Sequence, residues 1–289
     1  MLEIPESTTL ARQLNETVQG KVIKYVEANK SPHKFAWYFG DPGEYDTLLG
    51  GKKLGLAIAR GGMVEVQAED CRLLFGDGAA LKYFEDADKA PNKNQLYIEF
   101  TDRTALIATI QMYGGLWAYK EGQNDNPYYI GSCEKPSPLS DEFTYEYFRA
   151  LYTEALEKKS VKAFLATEQR IPGIGNGVIQ DLLYQAGIHP KSKMNTLTET
   201  DIEKLYHTTR KVLTEMIEGG GRDTEKDLFG NPGGYITYMS KNSYGEPCIK
   251  CGYQIRKENF LGGTIYFCEH CQKDNLIKNN MKKQYEKAI

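Results

Sequence analysis

Leu10, Leu14 and Val18 recur at a spacing of four near the start of the chain, the pattern of a helix with one face against a core. Ser7 is a candidate N-cap, and a start at Pro5 is equally open. Past Gly20 the pattern changes to short runs rich in β-branched and aromatic residues. Residues 21–28, 53–59, 63–68, 72–75, 96–100 and 105–112 read as strands with turns between them. A helix followed by an all-strand block predicts an antiparallel sandwich or barrel. From about Asp141 the period becomes helical, over residues 143–158, 161–167, 177–186 and 199–219. The segment 219–235 that follows is rich in glycine and charge, and its length marks it as either functional or mobile.

Composition adds little at first. With 40% hydrophobic and 26% charged residues, and 20 Tyr, 11 Phe and 2 Trp, the chain is an ordinary globular sequence and not a disordered one. No run approaches 18 apolar residues, so no membrane helix is expected. The N-terminus lacks an apolar signal core, so a soluble, cytoplasmic protein is expected. Charge is more informative by halves. Residues 151–289 hold 20 basic against 17 acidic side chains, and residues 1–150 hold 16 against 22. The C-terminal half, ending in Lys278, Lys282, Lys283 and Lys287, therefore permits a phosphate-binding surface, although a solvated helical face has the same composition.

The cysteines give the first firm chemistry. Cys248-x2-Cys251-x16-Cys268-x2-Cys271 has the spacing of a four-thiolate zinc site, with iron–sulfur ligation and redox disulfides as competing readings. The 16 intervening residues suffice for a hairpin turning at Gly262-Gly263. Four protein ligands leave no open position, so the ion would be structural and would supply much of the module's folding energy. His270 reads as a bystander, and Cys71 and Cys133 as unpaired thiols, the former in the core. Between two helices lies Ile171-Pro172-Gly173-Ile174-Gly175-Asn176. Such a turn presents backbone and Asn176 to a nucleic-acid phosphate, or is simply a tight interhelical turn with an Asn cap.

Together these pieces resemble the formamidopyrimidine-DNA glycosylase / endonuclease VIII (MutM/Nei) family over most of the chain. Met1-Leu2-Glu3-Ile4-Pro5-Glu6 is similar to the family's opening. Gly173-Ile174-Gly175-Asn176 with Ala186-Gly187-Ile188-His189-Pro190 is similar to its helix–two-turn–helix signature, and Tyr244-Gly245-Glu246-Pro247-Cys248 to Lys273 is similar to its zinc finger. The resemblance implies an α+β multidomain protein: an N-terminal antiparallel β-sandwich domain with flanking helices (1–135), a helix–two-turn–helix domain (136–240) carrying a lesion-type loop (219–235), a zinc finger (241–273) and a basic tail (274–289). It implies a monomer that binds duplex DNA bearing a damaged base or abasic site and flips the nucleotide out.

The chemistry implied is base removal, with an AP lyase step through the N-terminal amine. Catalysis would fall to Glu3, to the amine of Leu2 or Met1, and to Glu6. DNA contacts would fall to Asn176, Gly175, Lys162, Met63, Gln111, Tyr113 and Arg222. The sequence departs from the family at cationic and nucleophilic positions. Leu2 stands where proline is usual and is bulky enough to keep Met1 in place. Met63 stands for a lysine, Gln111-Met112-Tyr113-Gly114 lacks the inserting arginine, and Gly262-Gly263-Thr264 lacks the arginine of the finger. Two functions therefore stand side by side: a glycosylase with altered chemistry, favoured by the retained Glu3, and a damaged-DNA-binding protein without catalysis. Glu3 could also be only a solvated charge at a helix start.

Overall fold

A computed structural model describes residues 2–273, so Met1 and the basic tail lie outside the described residues. The first helix, α1, runs Ile4–Thr17 with Glu3 at the N-cap and Pro5 in the first turn, where its missing N–H costs nothing. Ser7 is therefore inside the helix, and its hydroxyl donates to the carbonyls of Ile4 and Gly61. Leu10, Leu14 and Val18 are buried as their spacing requires.

The strands are β1 (Ile23–Ala28), β2 (Ala36–Trp37), β3 (Leu54–Arg60), β4 (Met63–Ala68), β5 (Cys71–Phe84), β6 (Leu96–Phe100) and β7 (Ala105–Lys120). They form one sheet in the order β1-β6-β7-β5-β4-β3, antiparallel throughout except that β2 lies parallel to β7. Two strands are far longer than the 72–75 and 105–112 expected. Those readings stop short of the glycines, yet here Gly76, Gly114 and Gly115 continue the ladder and Gly78 sits in its one irregularity. Gly78 shows why no side chain is possible: a Cβ would sit 2.4 Å from the Tyr113 carbonyl oxygen. The β5–β7 register slips between Asp77 and Ala79, a bulge that bends both strands. On one side of it β7 pairs β6, and on the other β5 pairs β4. One core cluster accordingly gathers Ile23, Val26, Ile98 and Leu106 from the first half-sheet with Leu54, Val64, Val66 and Leu73 from the second. Two short helices, α2 (Tyr45–Leu49) and α3 (Pro127–Glu134), are too brief for a periodicity signal.

The chain divides into two compact units. One comprises the chain up to Glu134 together with Met216–Tyr235, and the other comprises Lys135–Glu215 and the chain from Ile236. The glycine-rich segment thus groups in space with the β unit. Leu228 is the reason: it is fully buried in the β core, its carbonyl accepts from Tyr83 N–H and its N–H donates to Gln13 of α1.

The second unit holds α4 (Tyr145–Ala150), α5 (Val161–Ala166), α6 (Val178–Ala186) and most of α7 (Glu199–Glu218), with the hairpin β8 (Arg256–Phe260) and β9 (Gly263–Phe267). The single helix expected over 143–158 is broken. It becomes α4, a turn, and a 3-10 turn at Glu154–Leu156. Phe143, Phe148 and Leu156 are all buried, and at about 100° per residue the first two would lie about 140° apart on one helix, off a common face. Ring packing of Phe143 and Phe148 against Tyr206 fixes the break.

Candidate active site and nucleic-acid interface

Within the β unit the start of α1 forms a buried polar cluster. Glu3 and Glu6 are 3% and 4% exposed, and Arg222 is 2% exposed. Arg222 Nε and Nη2 donate to the two Glu6 carboxylate oxygens at 2.9 and 2.8 Å, and its backbone N–H adds a bond of 3.2 Å to Oε1. Arg222 Nη1 also lies 3.7 Å from Glu3 Oε1. Burial opposes the charge on Arg222, but the Glu3 and Glu6 carboxylates outweigh it and hold its pKa above the ordinary value. The arginine that sequence offered as a DNA contact is therefore turned inward between two carboxylates 216 and 219 residues away. The loop can deliver it only because Gly233 has no side chain. A Cβ there would meet Gly221 backbone atoms at 2.2 Å.

Leu2 is buried, and its N–H donates to the Asp77 carbonyl at 2.7 Å. Asp77 sits in the β5 bulge at φ +54°, and burial pushes its carboxyl above the usual range. Tyr113, opposite on β7, is raised by burial and by the charges of Asp77 and Glu3. Its ring also packs 5.7 Å from that of Trp37. Gln111 and Met112 are exposed, whereas Met63 is half-buried near Gly76. Sequence reasoning missed Asp77. Its signal was a charged residue flanked by two glycines inside a strand. A separate pocket of about 250 Å³ is lined by Arg60, Glu65, Arg72, Tyr119 and Tyr129, and none of these belongs to the Glu3 cluster.

In the second unit the turn before α6 is tied to the cysteine hairpin. Asn176 Nδ2 donates to the Thr264 carbonyl at 2.9 Å, with Gly263 packed against the same side chain. Gln180 donates to the carbonyls of Asn176 and Thr264 and accepts from Tyr266 N–H. Asn176 Oδ1 is buried with no hydrogen-bond partner among the described residues. Gly175 lies half-exposed in the same turn. Lys162 is buried, with its ammonium donating 2.6 Å to the Phe260 carbonyl, and burial lowers its pKa. It braces helix to hairpin and does not present its charge to solvent.

The four hairpin cysteines bring their sulfurs within 4.8 Å of one another, with Cys248–Cys271 at 3.8 Å and Cys251–Cys268 at 3.4 Å. Bonds of about 2.3 Å to a tetrahedral ion place sulfurs about 3.8 Å apart, so the donor set fits a four-thiolate metal. Burial raises Cys248, but hydrogen bonds from the Tyr184 hydroxyl and from the backbone of Lys250 and Cys251 bring it down to about 6, whereas burial and the neighbouring thiols raise Cys268 and Cys271. His270 stacks on Tyr253 instead of joining the cluster.

Residues 135–227 match the formamidopyrimidine-DNA glycosylase H2TH domain. The chain is 30% identical to the formamidopyrimidine-DNA glycosylase of Bacillus licheniformis, with 94% of this chain and 100% of that protein covered. It belongs to the formamidopyrimidine-DNA glycosylase family. The Bacillus subtilis enzyme is 27% identical over 94% of this chain and 99% of its own. The crystal structure of MutM from Thermus thermophilus superposes with a TM-score of 0.78 at 24% identity, covering 94% and 99% of the two chains. The Lactococcus lactis Fpg in complex with DNA containing an abasic site matches equally well, with a TM-score of 0.78, 25% identity and the same coverage. The α+β arrangement found here, with an antiparallel N-terminal sheet, a helix–two-turn–helix unit and a four-cysteine hairpin, is that of the Fpg family.

Proposed function

We propose that this Fpg-family protein is a base-excision-repair glycosylase that removes a damaged base from duplex DNA at the Glu3 cluster. The observation that carries this is the buried Glu3–Glu6–Arg222 constellation. Two carboxylates and a guanidinium are held out of water together at the start of α1, a grouping suited to acid–base work. Burying such charges is costly unless each is paired, so the site is a built one. Relatives of similar fold bind DNA with 8-oxoguanine or an abasic site, which supports duplex DNA as the partner. Met63, Gln111 and Tyr113 of the β unit, and Asn176 and Gly175 of the H2TH turn, are the candidate DNA contacts. Arg222 acts there through the carboxylates, and Lys162 through the hairpin it braces. The metal of the Cys248, Cys251, Cys268 and Cys271 cluster is zinc on the chemistry of its donors, and it supplies rigidity to the hairpin, not reactivity.

A lyase step would use the amine beside Glu3. The Leu2 nitrogen bonds to the Asp77 carbonyl, and this favours a second reading in which the protein removes bases or binds lesions without forming an imine. Borohydride trapping on abasic-site duplex separates the two. An adduct mapping to Met1 or Leu2 establishes the lyase, whereas tight binding with no adduct and no strand cleavage removes it. Base release from duplexes carrying 8-oxoguanine, a formamidopyrimidine or an oxidised pyrimidine tests the glycosylase itself. Release abolished by Glu3→Gln is expected, and no release from any of the three leaves the binding protein as the function.

A further inference from the structure

We propose that Asp77 is a second catalytic carboxyl group, the acid that protonates the departing base while Glu3 receives the proton of the attacking water. The inference rests on the glycosylase reading and deepens it. Residue 77 is joined to the site directly, because its carbonyl accepts the N–H of the residue preceding Glu3. The backbone there is built for a purpose other than regular pairing. The register slips, φ is +54°, and the neighbouring Gly78 has no room for a Cβ. A bulge of this kind re-aims a side chain out of the sheet's alternation and commonly stands beside reactive groups.

The environment of this carboxyl is the opposite of its neighbours'. Glu6 is gripped by Arg222 and Glu3 faces the same guanidinium, yet among the described residues no cation and no hydrogen-bond donor reaches the Asp77 side chain. The titratable groups nearby are Glu3 from α1 and Tyr113 from β7. Tyr113 senses the charge of both carboxylates, and all three residues belong to one compact unit. Burial holds Asp77 toward its protonated form, whereas Glu3 Oε1 lies 3.7 Å from the Arg222 guanidinium. Two carboxyl groups set apart in this way divide acid and base work between them.

The step balances without a further reagent. The C1′–N bond breaks with its electron pair going to the base, which takes the Asp77 proton. Water oxygen bonds to C1′ and gives its proton to Glu3. A free base and an abasic site result, and exchange with solvent returns Asp77 and Glu3 to their starting states.

Asp77→Asn tests the assignment with little risk to the fold, since asparagine tolerates a positive φ as well as aspartate does. Single-turnover base release is measured against pH on the three damaged duplexes named above, alongside affinity for abasic-site duplex. Wild-type release should decline as pH rises through the Asp77 pKa. The variant should lose that declining limb and release base about 100-fold more slowly, with abasic-site affinity unchanged. Release by the variant at the wild-type rate, or uniformly slower with the limb retained, overturns the role of Asp77 and leaves the glycosylase standing. No release by the wild type from any duplex removes the glycosylase and this proposal with it.

Discussion

Arg222 shows how much a single side chain can decide. A buried guanidinium bound at both Glu6 oxygens is strongly coupled to its partners, because removing either one strands a charge in low dielectric. Arg222→Ala should therefore cost about 3–5 kcal/mol in urea unfolding. The double variant Arg222→Met with Glu6→Gln should recover a large part of that loss. An Arg222→Ala protein of wild-type stability would show the pair to be unimportant. Asp77 gives a pH prediction of opposite character. Its folded pKa is raised by burial, so the folded state holds the proton more tightly than the unfolded chain. The stability this contributes is complete below the unfolded pKa and is lost as pH rises through the folded one. Above the ordinary aspartate range the carboxyl is therefore a net cost to the fold, and Asp77→Asn should raise the melting temperature there. The gain should shrink toward zero as pH falls below the ordinary aspartate range. A gain independent of pH would mean that the carboxyl is not the cause.

At the scale of elements, the segment 219–235 and the strand pair β5–β7 carry the site. Leu228 plugs the segment into the β core, and Gln13 of α1 holds both Leu228 N–H and the Asp227 carboxylate. Leu228→Ala should cost about 2–5 kcal/mol, as a buried leucine truncated in a packed core does. It should also slow base release, because the same segment delivers Arg222 to Glu3 and Glu6. Limited proteolysis provides the check, with new cleavage expected between residues 219 and 235. Of these elements the sequence showed the strand starts and the helical period, since both rest on side-chain polarity. It did not show that β5 and β7 run through their glycines, because a glycine that ends a strand and one that admits a close backbone approach look alike in one dimension.

For the molecule as a whole, metal and DNA are the tests. The hairpin's own core is small, comprising Ile255, Phe267 and a few neighbours, so the thiolate cluster should hold much of its stability. Chelation under thiol-modifying conditions should release one zinc per chain, measured by atomic absorption, and abolish duplex binding together with it. Duplex affinity that survives complete metal loss would separate the hairpin from the interface. Affinity should also fall with salt, with a log–log slope of about −0.9 per neutralised phosphate. Lys162 of α5 and the Asn176 amide nitrogen of the H2TH turn are spent on internal bonds, so the slope should be shallow for a DNA-repair protein.

The sequence alone determined the family, the four-cysteine cluster and where most strands and helices begin. Periodicity, the CxxC spacing and short contiguous motifs are local properties, and local properties survive in a string of letters. It also identified Glu3 and Glu6 as candidates, because they open the chain together. The tertiary structure alone decided what those carboxylates meet. Arg222 and Asp77 stand 216 and 74 residues from Glu6 and Glu3, and they reach the site through a loop anchored by Leu228 and a bulge framed by glycines. Charge, burial and protonation at that site depend on distances through space, and distance through space is set by packing.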